Sequence, residues 1–134
     1  MDLKLEAIVL PVSDVDRSKA FYEQAGFNAD VDTQPNENFR IVQLTPPGSA
    51  CSIIVGKGLT TAAPGSAQGL TLVVSDIEEA RAEFLRRGVE VSDFFHYGPA
   101  GQEQGLDPQR QDFASFVSFT DPDDNGWLLQ EKRT

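Results

Sequence analysis

Val9-Leu10-Pro11-Val12-Ser13-Asp14 returns as Thr71-Leu72-Val73-Val74-Ser75-Asp76, and these two stretches decide the fold. The register then holds without a gap, carrying Ala20 onto Ala82 and Gly26 onto Gly88. An internal repeat of this kind marks two copies of one supersecondary unit. In each copy an alternating, strand-like run enters Ser-Asp, and the Asp carboxylate suits a helix N-cap. Helices are therefore predicted over 15–25 and 77–87. Ile77, Ala80, Phe84 and Leu85 form the apolar stripe of the second, and Val15, Tyr22 and Ala25 that of the first. Gly26 and Gly88 fall at C′, where a left-handed residue ends a helix.

Working outward, the pattern returns to strands after each helix. In the first half these are residues 3–12 ahead of the helix, then 27–31, 39–45 and 51–55. In the second they are 89–91, 113–120 and 127–130, after the opening strand. The second copy is longer, and its extra residues lie in the polar stretch Tyr97 to Gln111, which reads as a loop and a candidate mobile lid. Each unit is thus βαβββ. The expected class is α+β, one domain of two βαβββ modules, 1–56 and 69–134, joined by a Gly-, Ala- and Pro-rich linker over 57–68.

Bulk properties narrow the function classes. The chain has 134 residues, 40% of them hydrophobic, with a formal charge of −10. Such an acidic balance argues against a nucleic-acid partner, whose phosphates it would repel. No apolar run approaches the roughly 20 residues that span a bilayer, so no membrane partner is expected. Cys51 is the only cysteine, which excludes an internal disulfide and suits a reducing cytoplasm. Within the run Cys51 to Val55 it reads as a small core residue.

With these residues in view, the chain resembles the vicinal oxygen chelate superfamily, the glyoxalase/bleomycin-resistance/extradiol-dioxygenase group. The likeness is carried by Val12-Ser13-Asp14, Phe21-Tyr22 and Gly26-Phe27, by Val74-Ser75-Asp76 and Gly88-Val89, and by the closing Phe119-Thr120-Asp121-Pro122-Asp123-Asp124-Asn125-Gly126. It implies curled mixed sheets forming a cup, and a homodimer. It also implies that metal-dependent members hold a divalent ion with ligands on the first and last strand of each module. Those positions project onto Ala7, onto Ile53 or Ile54, onto Gly69 and onto Leu128. None of these side chains donates to a metal, so no cofactor is expected.

His96 is the only histidine and the one candidate acid or base, against a plainer role closing a loop. Asp121 to Gly126 matches the first half of an EF-hand loop but meets Lys132 where the bidentate Glu is needed, so it reads as a hairpin turn. An aromatic group gathers in the second half. Its members Phe94, Phe95, Tyr97, Phe119 and Trp127, with Val9, Thr71 and Arg110, are the candidate ligand-binding residues. Arg40 is a second cation for an anionic ligand. The leading expectation is metal-free binding of a small, partly aromatic or apolar molecule. The alternative is a lyase, isomerase or dioxygenase of the same fold, with a divalent metal in a non-standard site or with His96 as acid/base. A dimer serving only as a partner-binding surface is a third reading, with no positive feature behind it.

Overall fold

The computed structural model describes residues 1–134 as two helices and nine strands in two sheets. The chain divides into two compact units, Met1–Ala67 with Asp121–Asn125, and Gln68–Thr120 with Gly126–Thr134. The predicted linker therefore packs with the first unit, and so does a turn from the second repeat.

In the first unit the order is β1 (Ala7–Val9), α1 (Val15–Gln24), β2 (Asn28–Asn36), β3 (Phe39–Thr45) and β4 (Ser52–Lys57). The sheet order is β1-β4-β3-β2, with β1 parallel to β4 and the other pairs antiparallel. The strand expected from residue 3 begins only at Ala7, and Leu3 and Leu5 stay exposed. Asp14 caps α1 as predicted, its carboxylate accepting from the Arg17 N–H at 3.1 Å. Gly26 takes φ +108, a value open to a residue without Cβ, and the Phe27 N–H then closes on the Tyr22 carbonyl at 2.9 Å. The core lies between α1 and one sheet face, where Tyr22, Val42, Leu44, Ile53 and Val55 are buried. Burying an aliphatic or aromatic side chain of this size contributes about 1.5–3 kcal/mol each before chain entropy is counted.

That core is closed from an unexpected direction. Residues Asp121–Asn125, the turn of a hairpin in the second repeat, belong to the first unit. The buried Asp121 carboxylate accepts from the Tyr22 hydroxyl at 2.7 Å, from the Asn125 amide at 2.8 Å, and from the backbone N–H groups of Asp123 and Asn125. Asn125 also donates to the Pro11 carbonyl at 2.9 Å and accepts from the Ala67 N–H at 3.0 Å. These bonds satisfy the buried carboxylate and amide within the unit, as burial requires. The turn reading of this stretch holds, and Asp124 carries its left-handed angle at φ +70.

The second unit runs β5 (Leu70–Val74), α2 (Ile77–Arg86), β6 (Phe95–Gly98), β7 (Gly101–Gln104), β8 (Phe116–Thr120) and β9 (Gly126–Glu131). Its order is β5-β9-β8-β6-β7, with β5 parallel to β9. Three expectations are corrected here. No strand forms over 89–91. The stretch from Tyr97, read as a loop, begins as a β6–β7 hairpin. Phe113, expected to open a strand, stands before β8 at φ +66, its N–H donating to the Glu131 carbonyl at 2.6 Å.

Candidate functional site

Strand pairing sorts the side chains of each sheet into a helix-facing set and an open set. In the second unit Phe119 pairs with Trp127 and Val117 with Leu129. The Phe119 ring lies 5.2 Å from Phe84 of α2 and stacks on Trp127 at 5.8 Å. Phe119 and Trp127 are 4% and 3% exposed. These two candidate ligand residues are therefore helix-side core. The opposite parity puts Thr71, Val73, Phe116, Ser118 and Leu128 on the open face.

On that open face the structure brings together Phe95, Tyr97 and Phe116. Phe95 stacks on Phe116 at 5.6 Å, and the Tyr97 ring meets Phe116 edge-on at 5.4 Å. Phe95 pairs directly with Phe116 across β6 and β8, and Tyr97 follows one alternation later. Phe95 and Phe116 are buried while Tyr97 is 59% exposed. Phe116 was not among the candidates, although alternation alone places it opposite Phe119. Phe94 sits apart, just before β6, with the Arg81 guanidinium 5.3 Å from its ring centroid.

Both candidate cations are already engaged. Arg110 holds the Glu131 carboxylate with two hydrogen bonds of 2.9 and 2.7 Å and reaches Glu78 at 3.0 Å. Glu131 is fully buried and also accepts from the Ile77 N–H at the start of α2. The Arg110 hydrogen bonds hold its carboxyl below the ordinary range against the opposing effect of burial. Arg110 is thus a structural residue of the second unit. Arg40 grips Asp32 at 3.0 and 2.9 Å and Asp16 at 2.7 Å, so neither arginine offers a free fork to an anion.

His96 points away from the aromatic set, since it alternates with Phe95 and Tyr97. Its Nδ1 lies 2.8 Å from the Gly105 carbonyl and its Nε2 3.3 Å from the Glu103 carboxylate. Both ring nitrogens are engaged within the β6–β7 region, and the ring is nearly buried. That geometry ties the hairpin down; it places no acid or base beside the open face.

In the first unit the open face carries Ala7, Val9, Gln43, Thr45, Ser52 and Ile54. Val9 is 40% exposed, and Ser52 links Gln43 at 3.1 Å with Thr45 at 2.7 Å. Register settles the choice between the two isoleucines: Ile54 stands beside Val9, whereas Ile53 faces α1. The positions implied for metal ligands are then Ala7 and Ile54 in one unit and Gly69 and Leu128 in the other. Thr71, beside Leu128, is exposed and its hydroxyl donates to the Gly69 carbonyl at 3.0 Å. Methyl, butyl and hydrogen substituents carry no lone pair, so these residues do not fit a divalent ion. No group of three His, Cys, Asp or Glu side chains elsewhere is placed to hold one.

No helix is long and apolar enough to cross a membrane. A comparison with curated proteins gives no match. Among solved structures the chain is similar to TnmS3, an antibiotic binding protein from Streptomyces sp. CB03234. The two are 30% identical, with 97% of this chain and 96% of that one covered and a TM-score of 0.73. It is similar at 31% identity to a glyoxalase/bleomycin resistance protein from Streptomyces sp. CB03234, covering 96% and 100% at a TM-score of 0.71. A superfamily member from Sphaerobacter thermophilus DSM 20745 matches at 25% identity, 98% of each chain and a TM-score of 0.72. The family model for the Glyoxalase/Bleomycin resistance protein/Dioxygenase superfamily matches residues 4–129. Paired repeats, two helix-backed mixed sheets and this match over nearly the whole chain agree: the protein belongs to the Glyoxalase/Bleomycin resistance protein/Dioxygenase superfamily.

Proposed function

We propose that the protein binds a small organic molecule, aromatic or apolar in part, on the open faces of its sheets and without a metal ion. The observation that carries this reading is what stands on those faces. Ala7, Ile54, Gly69 and Leu128 occupy the positions where metal ligands are implied, and Phe95, Tyr97 and Phe116 gather in the second unit. Hydrocarbon at those positions polarises no carbonyl and generates no hydroxide, but it does supply the apolar contact that small-molecule sites use. In the second unit the exposed Tyr97 ring offers a face for stacking and the Thr71 hydroxyl a polar contact. A neighbour described as an antibiotic binding protein, 30% identical over nearly the full chain, supports the same class of function. Binding of this kind makes and breaks no bond, which suits sequestration. A homodimer in the cytoplasm completes the proposal.

The test is calorimetric titration with a panel of planar aromatic compounds, beside metal analysis of protein purified without an affinity tag. Binding is expected, and Tyr97→Ala and Phe116→Ala should each weaken it about tenfold, a loss of roughly 1.4 kcal/mol. Stoichiometric zinc, nickel, manganese or iron overturns the metal-free reading. Light scattering should return twice the chain mass of 14.6 kDa.

A further inference from the structure

The first unit contains a cleft of about 550 Å³ that the sheet faces do not account for. It opens where β1 and β4, which run parallel, come to their C-terminal ends and α1 begins. Chain 58–64 passes over it as a roof. Leu10, Val12, Val15, Leu59 and Pro64 line it with hydrocarbon, and Ser13, Gln34 and Thr60 add uncharged polar groups.

The roof is pinned at both ends by glycines that allow backbone contact. At Gly56 a Cβ would stand 2.0 Å from the Arg40 carbonyl oxygen and 2.6 Å from Leu59 Cδ1, so only glycine lets Leu59 lie directly on the strand. At Gly65, φ +82, a Cβ would stand 2.0 Å from the Asp123 carbonyl oxygen, and the Gly65 N–H donates to the Pro11 carbonyl at 3.2 Å. These two close approaches fix where the strap meets the rest of the unit. Protein interiors otherwise pack close to crystal density and leave few voids larger than a water molecule. The cleft's volume lies within the range of ligand sites.

The charges around it decide the ligand's chemistry. Arg40 is answered by Asp16 and Asp32, the Asp14 carboxylate caps α1, and the Lys57 ammonium donates to the Glu37 carbonyl at 2.7 Å. An anion entering the cleft meets Asp14 and Asp16, and a cation meets Arg40 and Lys57. These wall charges are already engaged with one another or with the backbone, so neither sign of ligand is favoured by an idle counter-charge. We propose that this cleft is a second small-molecule site of the protein, and that it takes an uncharged organic molecule with an apolar body.

Three probes of one shape test this: 2-naphthylmethanol, 2-naphthylmethylammonium and 2-naphthoate, followed by amide chemical shifts of the full chain. The alcohol is expected to shift Leu59, Thr60 and Ala62 with a sub-millimolar Kd. Both ions should bind there at least about tenfold more weakly. Ala62→Trp and Thr60→Trp, at exposed roof positions, should each weaken the alcohol about tenfold by filling the space. No shift at the roof up to the solubility limit overturns the proposal. An ion that binds as tightly as the alcohol does so too, as do two tryptophan variants that both leave the affinity unchanged. Shifts at Tyr97 and Phe116 report the open sheet face, so failure of one site is distinguishable from failure of the other.

Discussion

Replacing Arg110 with methionine should destabilise the protein by about 3 kcal/mol at pH 7 without touching ligand binding. Glu131 is fully buried and its carboxylate has three donors, two from Arg110 and one from the Ile77 N–H. The substitution removes both charge-assisted bonds and leaves a buried carboxylate with one backbone partner. Breaking a buried pair in this way costs about 3–5 kcal/mol. The Arg110 side chain is 23% exposed, which screens part of the interaction and puts the loss at the lower end. The pH dependence follows from the sign of the shift. In the wild type the Glu131 carboxyl is depressed by Arg110, so its contribution is present above the unfolded value and lost as pH falls. Without Arg110, burial dominates and raises it, so the variant recovers stability as pH falls toward about 4. The gap between the two proteins should be widest at pH 7 and should close on acidification. Urea denaturation at pH 7 and pH 4.5 measures it, and Arg110→Met with Glu131→Leu should regain most of the loss. A gap under about 1 kcal/mol at pH 7, or one that does not narrow in acid, refutes the reasoning.

Tyr22→Phe removes one of four donors from the buried Asp121 carboxylate and should cost about 1–2 kcal/mol in the same urea assay; no change would mean that the bond is not formed in solution. Gly65→Ala should cost about 3 kcal/mol, because positive φ strain adds to a clash with backbone oxygen, whereas Gly48→Ala, at φ +80 with open space around it, should cost about 1 kcal/mol. Equal losses would argue against the close approach at Gly65. Acid should destabilise the wild type. The carboxyls of Asp32, held down by Arg40 and Lys19, of Asp30, by Thr45 and Asn28, and of Glu83, by Arg87 and Arg86, all lie below their ordinary values. Groups shifted this way contribute above the unfolded range and lose that contribution as pH falls, so thermal midpoints should drop below about pH 4. A flat profile between pH 7 and pH 3 would contradict it.

The repeat made the helices readable almost to the residue, because Asp14 and Asp76 cap them and Gly26 and Gly88 end them through local chemistry. What stayed hidden depended on distant partners. Alternation separated Phe116 from Phe119, but only the contact with Phe84 tells which face meets α2. Arg110 looked available because its buried partner is remote in sequence; Glu131 arrives from β9. The β6–β7 hairpin escaped for a different reason. Gly101-Gln102-Glu103-Gln104 has little β propensity, and its pairing shows only in the backbone ladder with Phe95 to Gly98, which sets His96 against Glu103. The parity of Ala7, Ile54 and Leu128 follows from register, which, unlike side-chain partnership, travels with the repeat.

The turn Asp121–Asn125 has a consequence for synthesis on the ribosome. The first unit draws on Pro11 and Tyr22 near one end of the chain and on Asn125 and Asp121 near the other. A nascent chain can form α1 and its sheet early, but it must wait for residues 121–125 before Tyr22 and Pro11 find their buried partners. Long-range closure of this kind slows folding and leaves an unfinished surface exposed during translation. A chain released after residue 67 would keep one whole copy of the repeat and still lack the piece that seals it.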